Sequence, residues 1–383
     1  MEAVKDFFID FGIAFLILFG LYNLFKIFFL KYFKNRNKIK SVMINVIVGL
    51  LIFYVFVIIY QAAVERYEDL ALAYLIRQLI SQIPNIASLS LATTAIVLIY
   101  KTSTTTNFAQ SMMATFGAYF AAKTIQFIGV DNGWSTTTIV AVALISGALV
   151  AFLLGVFIDS VIIRYSKDKT PVGKQMITMG LVIILTGLMP MLFGFNSPTN
   201  PLSIPQLFES QEQIPLAFLN NWGIIERELF ITKHAFYIMI ITIVLLVILF
   251  SLLRFTKWGL GVRATASNER VASMMGINTK LITALSWGIA GFLGGVAAII
   301  KAPADIGPAL MVSTQINGFV AAVMGSFTSF AGPLIASILI PPLQGLLATL
   351  LSTWNYAVVY VIILVFVLIK PEGLFGKKVD KKV

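Results

Sequence analysis

The chain has 383 residues and a formal net charge of +11; 58% of its residues are hydrophobic and only 12% charged, with a mean hydropathy of +0.92. Soluble domains carry roughly 25% charged residues, so this composition leaves too little polar surface to cover a globule in water and excludes that class. The basic residues sit in short clusters between apolar runs rather than among stacking aromatics, which excludes a nucleic-acid surface, and the absence of cysteine excludes disulfides, thiolate zinc sites and iron–sulfur clusters.

Taken in chain order, apolar runs near the bilayer length of about 20 residues predict an all-α, polytopic transmembrane bundle of about eleven spans. They fall at 7–30, 42–63, 79–100, 108–128, 137–162, 175–195, 235–253, 280–300, 309–325, 331–351 and 354–370. The first, Phe7–Leu30, exceeds the roughly 7–15 apolar residues of a cleaved signal peptide and lacks a basic leader, so it reads as a retained helix. With the N-terminus outside, twenty of the 28 basic residues fall on the cytoplasmic face, in 31–40, at Lys101, and in 164–174, 254–280 and 370–383. The reverse topology would put them outside. The positive-inside rule therefore predicts an external N-terminus and a cytoplasmic C-terminus, in a multi-pass protein of the cell membrane.

Between and within these spans the signals are of several kinds. Gly147, Ala151 and Gly155 form one stripe of small residues and Gly288, Gly291, Gly294 and Gly295 another; both read as close helix packing. Pro190 is expected to bend the sixth span, and Pro341-Pro342 to break the tenth. The polar stretch Asn196–His234, interrupted by Pro198, Pro201, Pro205 and Pro215, is expected outside, as a docking surface or a plain loop; His234 reads as an interfacial residue. Almost no ionisable residue lies within a span: Asp10, Lys26 and Asp159 sit near span ends. There is no G-x-x-x-x-G-K-[ST] loop, since Gly173-Lys174-Gln175 lacks the upstream glycine and the hydroxyl. No catalytic residue, metal ligand set or resident cofactor is predicted, so energy for uphill transport must come from another subunit. Asn107, Gln110, Thr178, Gln315 and Asn317 are candidates for lining a substrate path, and equally for interhelical hydrogen bonds worth about 1 kcal/mol each.

The segment 254–280 reads as a short helix between two spans. Ser267 is a plausible N-cap, Glu269 suits the positive end of the dipole, and Gly276 can take the left-handed stop. Val271, Met274 and Met275 fall on one apolar face, with Glu269, Arg270 and Ser273 polar. Such a helix either lies in the membrane interface or fits a partner's groove.

This segment also carries a resemblance. Gly259, Arg263, Ala264, Asn268, Ala272, Met275, Gly276, Ile277 and Asn278, ahead of the Gly288–Gly295 face, resemble the coupling loop of the branched-chain amino acid ABC permeases (the LivH/LivM family). Asn107-Phe108-Ala109-Gln110 with Gly117-Ala118-Tyr119, Ala321-Ala322-Val323-Met324-Gly325 through Gly332, and Lys370-Pro371-Glu372-Gly373-Leu374-Phe375-Gly376 are similar to further stretches of the LivH-type subunit, in the family's order. The resemblance implies a permease domain over 72–377, preceded by a two-span extension at 1–71 and followed by a basic tail at 378–383. It implies two cytoplasmic ABC ATPase subunits that bind the ATP and dock on a 263–278 helix through Arg263, Asn268, Glu269, Arg270, Val271, Met274, Met275 and Gly276. A second permease subunit (an identical copy or a LivM-like partner) and an extracytoplasmic substrate-binding protein near 196–234 complete the implied assembly. The solute would be small and neutral or zwitterionic, a branched-chain or other amino acid. Gln110, Ser111, Ser326 and Thr328 replace a His and three glycines of the family pattern, which keeps urea, amides and nucleoside-like solutes open. An ATP-independent channel or a structural membrane protein would not need the loop helix.

Overall fold

The computed structural model describes residues 71–129, 133–166, 170–195, 197, 202–206, 212–216, 229–302, 306–351, 355–370 and 373; the expected spans at 7–30 and 42–63 lie outside them. Helices dominate: α1 (Ala71–Ser81), α2 (Ile83–Ser103), α3 (Gln110–Ile128), α4 (Thr136–Phe157, continued as a π turn over Ile158–Ile163), α5 (Pro171–Phe193), α6 (Lys233–Phe255), α7 (Lys257–Ser267), α8 (Glu269–Met274), α9 (Thr279–Lys301), α10 (Val312–Gly325), α11 (Ala331–Leu351) and α12 (Asn355–Ile369). A two-stranded antiparallel hairpin pairs β1 (Gln213–Pro215) with β2 (Phe230–Thr232), Ile214 opposite Ile231, and the Lys233–Glu212 ion pair at 2.9 Å closes it. Nearby, Leu202 and Ile204 are buried, so parts of the polar stretch 196–234 are anchored on the bundle.

Among the described residues, five helices are long and apolar enough to cross a bilayer: α2, α4 with its π turn, α5, α6 and α9. The chain is thus a polytopic membrane helical bundle, but the other expected spans differ in kind. α3 has the length, yet its QSMMATFGAY start mixes Gln, Ser, Thr and small residues with the apolar ones; most of this start is buried against protein, so it needs little lipid-compatible surface. α10 has 14 residues, about 21 Å at 1.5 Å per residue against a core of about 30 Å. Pro341-Pro342 does not break α11, which runs through both prolines. Pro190 is likewise carried within α5, whose last turn closes with Gly194 N–H donating to the Pro190 carbonyl at 2.8 Å.

α9 forms the centre, packed against α2, α3 and α4. The two small-residue stripes read from the sequence face each other across the α4–α9 contact. A methyl at Gly295 would sit 2.9 Å from Ala151 Cβ and 3.2 Å from Ala148 Cα, one at Gly291 would strike the Ala151 carbonyl, and one at Gly155 the Trp287 carbonyl. Backbone approach this close is what small residues permit. Trp287, fully buried, donates its indole N–H to Ser103 Oγ at 2.9 Å and so ties α9 to the end of α2.

Candidate functional site

The loop after α6 folds as two helices rather than one spanning 263–278. Thr256 Oγ1 accepts from Gly259 N–H (3.1 Å) and starts α7. Arg263 lies on α7, where its guanidinium donates to the Leu253 carbonyl at the end of α6; it braces the loop's root. The cap of α8 is Asn268, not Ser267: Ser267 is still helical, whereas Asn268 is extended (φ −161°) and its Oδ1 accepts from Val271 N–H at 3.2 Å. An N-cap needs that extended backbone to aim its side chain at the first turn, and the break it makes separates the helices. Gly276 takes the left-handed stop at φ +83°. Its N–H donates to the Ser273 carbonyl and that of Ile277 to Ala272, both at 3.1 Å, the paired bonds of a Schellman motif. Asn278 then caps α9 by accepting from Leu281 N–H (3.1 Å). Ala272 packs inward, while Glu269 and Arg270 are exposed and Val271, Met274 and Met275 are 51%, 79% and 78% exposed. Beside the loop, buried Asp159 of the π turn accepts from Arg164 and from Thr283 Oγ1, each at 3.2 Å, and Arg164 donates to the Lys280 carbonyl at 2.8 Å. The end of α4 is thereby clamped to the start of α9.

Four of the five path candidates gather around the break between α2 and α3. α2 ends at Thr104 in the left-handed region (φ 51°), and α3 restarts at Gln110. Asn107 Oδ1 accepts from Ala109 N–H (2.9 Å) and its Nδ2 donates to Gln110 Oε1 (3.2 Å). Gln110 Nε2 donates to the Ala290 carbonyl of α9 at 2.9 Å, and a side chain at Gly294 would collide with that nitrogen. Gln315 of α10 accepts from Ser111 N–H and donates to the Phe108 carbonyl (2.7 Å). Thr178 Oγ1 accepts from Phe108 N–H (3.2 Å) and donates to the Gln175 carbonyl (2.8 Å). Asn107, Gln110 and Thr178 are buried. These side chains spend their polar atoms on one another and on backbone, which fixes a non-helical turn inside the bundle where unpaired amides would be costly.

Asn317 is elsewhere. With Gln82, Asn85, Lys301, Thr314 and Gln344 it lines a cleft of about 210 Å³ among the ends of α2, α9, α10 and α11. Its Oδ1 accepts from Gln344 Nε2 (3.1 Å) and from the Tyr360 hydroxyl (2.8 Å). Lys301 Nζ donates to Ser313 Oγ (3.0 Å) and Thr314 Oγ1 (2.6 Å). Apart from Asn317, sequence reasoning did not select these residues; the one available signal was a lysine closing an otherwise uncharged span. His234 is buried beside Ile204, Pro205 and Ile238.

Residues 76–368 match the family described as branched-chain amino acid transport system, permease component. The chain is 25% identical over 286 residues to the high-affinity branched-chain amino acid transport system permease protein LivH of Escherichia coli K12, covering 72% of this chain and 87% of that protein. It is 26% identical over 292 residues to a probable LivH of Methanocaldococcus jannaschii (73% and 86% covered) and 22% identical over 284 residues to BraD of Pseudomonas aeruginosa (72% and 88%). No solved structure matches.

Proposed function

We propose, because the chain belongs to the family of branched-chain amino acid transport permeases, that it is the membrane subunit of an ATP-driven ABC importer for small neutral or zwitterionic solutes, branched-chain or other amino acids first among them. The observation that carries this reading is α8: a short helix on a stiff mount that exposes Val271, Met274 and Met275 together. An apolar stripe of that kind fits a groove in a partner. In the topology argued from the basic residues, α7 and α8 face the cytoplasm, where two ATPases bind ATP and hold α8. Closure of the ATPases displaces α8, and α9 carries the movement into the bundle, exposing the path to each side in turn. A second permease subunit completes the pathway, and a substrate-binding protein delivers solute on the face that holds the β1–β2 hairpin. Residues 1–71 are an addition to this 72–377 domain, and 378–383 a basic tail.

The test is uptake of radiolabelled L-leucine, with urea and simple amides as a comparison panel, in cells carrying the whole system. Glu269→Arg and Gly276→Trp should bring uptake to background with membrane insertion intact. Wild-type transport by both variants, or unchanged transport after loss of the co-encoded ATPase, removes the reading.

A further inference from the structure

We propose that the cleft lined by Lys301 is an anion subsite on the solute path: the Lys301 ammonium takes the carboxylate of a small zwitterionic solute. The inference rests on the permease reading above and adds a place and a chemistry to it.

Lysine at a helix end near a membrane surface normally extends its ammonium toward water. Lys301, the last residue of α9, is instead turned across to α10, where Ser313 and Thr314 hold Nζ at 3.0 and 2.6 Å. An ammonium has three N–H donors, and two hydroxyls use two of them. Among the described residues lining the cleft no carboxylate is present: Gln82, Asn85, Asn317, Gln344 and Tyr356 are neutral. A partly buried cation with no counter-charge among the described residues is costly to maintain, and a ligand anion removes that cost. The volume of about 210 Å³ lies below the roughly 300–1,000 Å³ of drug-sized sites, which suits one small metabolite. Gln82, Asn85, Asn317 and Gln344 line the cleft with amides for its other polar end, Asn317 Oδ1 being already taken by Gln344 Nε2 and the Tyr360 hydroxyl, and Leu89, Pro341 and Ala348 give an apolar wall to its side chain. In the topology argued above these helix ends lie on the outer side, where solute enters.

Two measurements decide it. In the purified wild-type permease, acylation of Lys301 by an amine-reactive ester, read by peptide mass spectrometry as a ratio to the exposed Lys280 so that ester consumed by the ligand's own amine cancels, should slow saturably with L-leucine and stay unchanged with L-leucinamide, which lacks the carboxylate. In cells, Lys301→Met should raise the KM for L-leucine uptake about tenfold, the loss of one charge-assisted hydrogen bond, while Lys301→Arg keeps it near wild type. Equal acylation with and without L-leucine overturns the subsite, whatever uptake shows. Protection of Lys301 by L-leucine in a system whose wild type imports no amino acid leaves the subsite standing and overturns the functional reading instead.

Discussion

Gly295→Ala puts one methyl group into the seam between α4 and α9, and its cost can be worked from the distances. The added Cβ would lie 2.9 Å from Ala151 Cβ and 3.2 Å from Ala148 Cα, against about 3.5–4.0 Å for carbon atoms at ease. The helices must therefore separate by about 0.7 Å. A radial gap of 0.5–1 Å forfeits about a quarter to a half of each dispersion well, and the loss runs along the whole seam, including Gly155 against Trp287 and Gly291 against Ala151. Overpacking of this kind costs about 1–3 kcal/mol; better helix propensity returns up to about 1 kcal/mol, for a net loss of about 1 kcal/mol. Gly187→Ala is the internal control. Nothing lies within 4 Å of a methyl there, so the propensity term acts alone and the variant should match or exceed the wild type. The assay is thermal unfolding of the purified permease in detergent, followed by tryptophan fluorescence. Were Gly295→Ala to melt at or above the temperature of Gly187→Ala, the close backbone approach described for α4 and α9 would be wrong.

Two further variants probe other parts of the bundle. Ser326, where the resembling family has glycine, sits at φ +84° at the end of α10; Ser326→Gly should relieve about 1–3 kcal/mol of backbone strain and lose the 2.9 Å contact with Thr328 Oγ1, worth about 1 kcal/mol, so a higher melting temperature is expected and a lower one would show that no strain is held there. Gln315→Leu leaves Ser111 N–H and the Phe108 carbonyl unpaired at the α2–α3 break, about 1–3 kcal/mol for each group, and the same melts should show a loss well beyond that of Gly295→Ala.

What the sequence revealed divides by physical cause. Helices with wide exposed apolar faces declare themselves through hydropathy, and α4, α5 and α6 stand where the apolar runs put them, as does the buried α9 at their centre. α3 was found as a run but not for what it is: a helix wrapped in protein is released from the demand to be apolar, so Gln110, Ser111 and Thr115 occur inside it. Local backbone chemistry read well at Gly276, whose left-handed stop depends on one residue, and missed by one position at the α8 cap, where Ser267 and Asn268 are both competent and only the backbone direction chooses between them. The polar residues inside the bundle were recognisable as a type, but not their partners. Gln110 finds Ala290 and Gln315 finds Phe108 across separations of 180 and 207 residues, and no spacing rule encodes such distances. The Lys301 cleft was invisible for the same reason, being assembled from residues between 82 and 356.

The arrangement between Gly276 and Thr279 has a mechanical meaning. One helix is terminated by a double hydrogen bond and the next begins almost at once under its own amide cap, so the join has the stiffness of a bracket instead of the slack of a tether. A push on the small outlying helix would therefore be passed, with little slack at the join, to the helix that forms the keel of the molecule, whose far end carries Lys301. On the reading proposed above, the helix that would take up thrust at one surface ends, at the other, in the one lysine among the described residues of the cleft, so a single helix would serve both ends of the transport cycle.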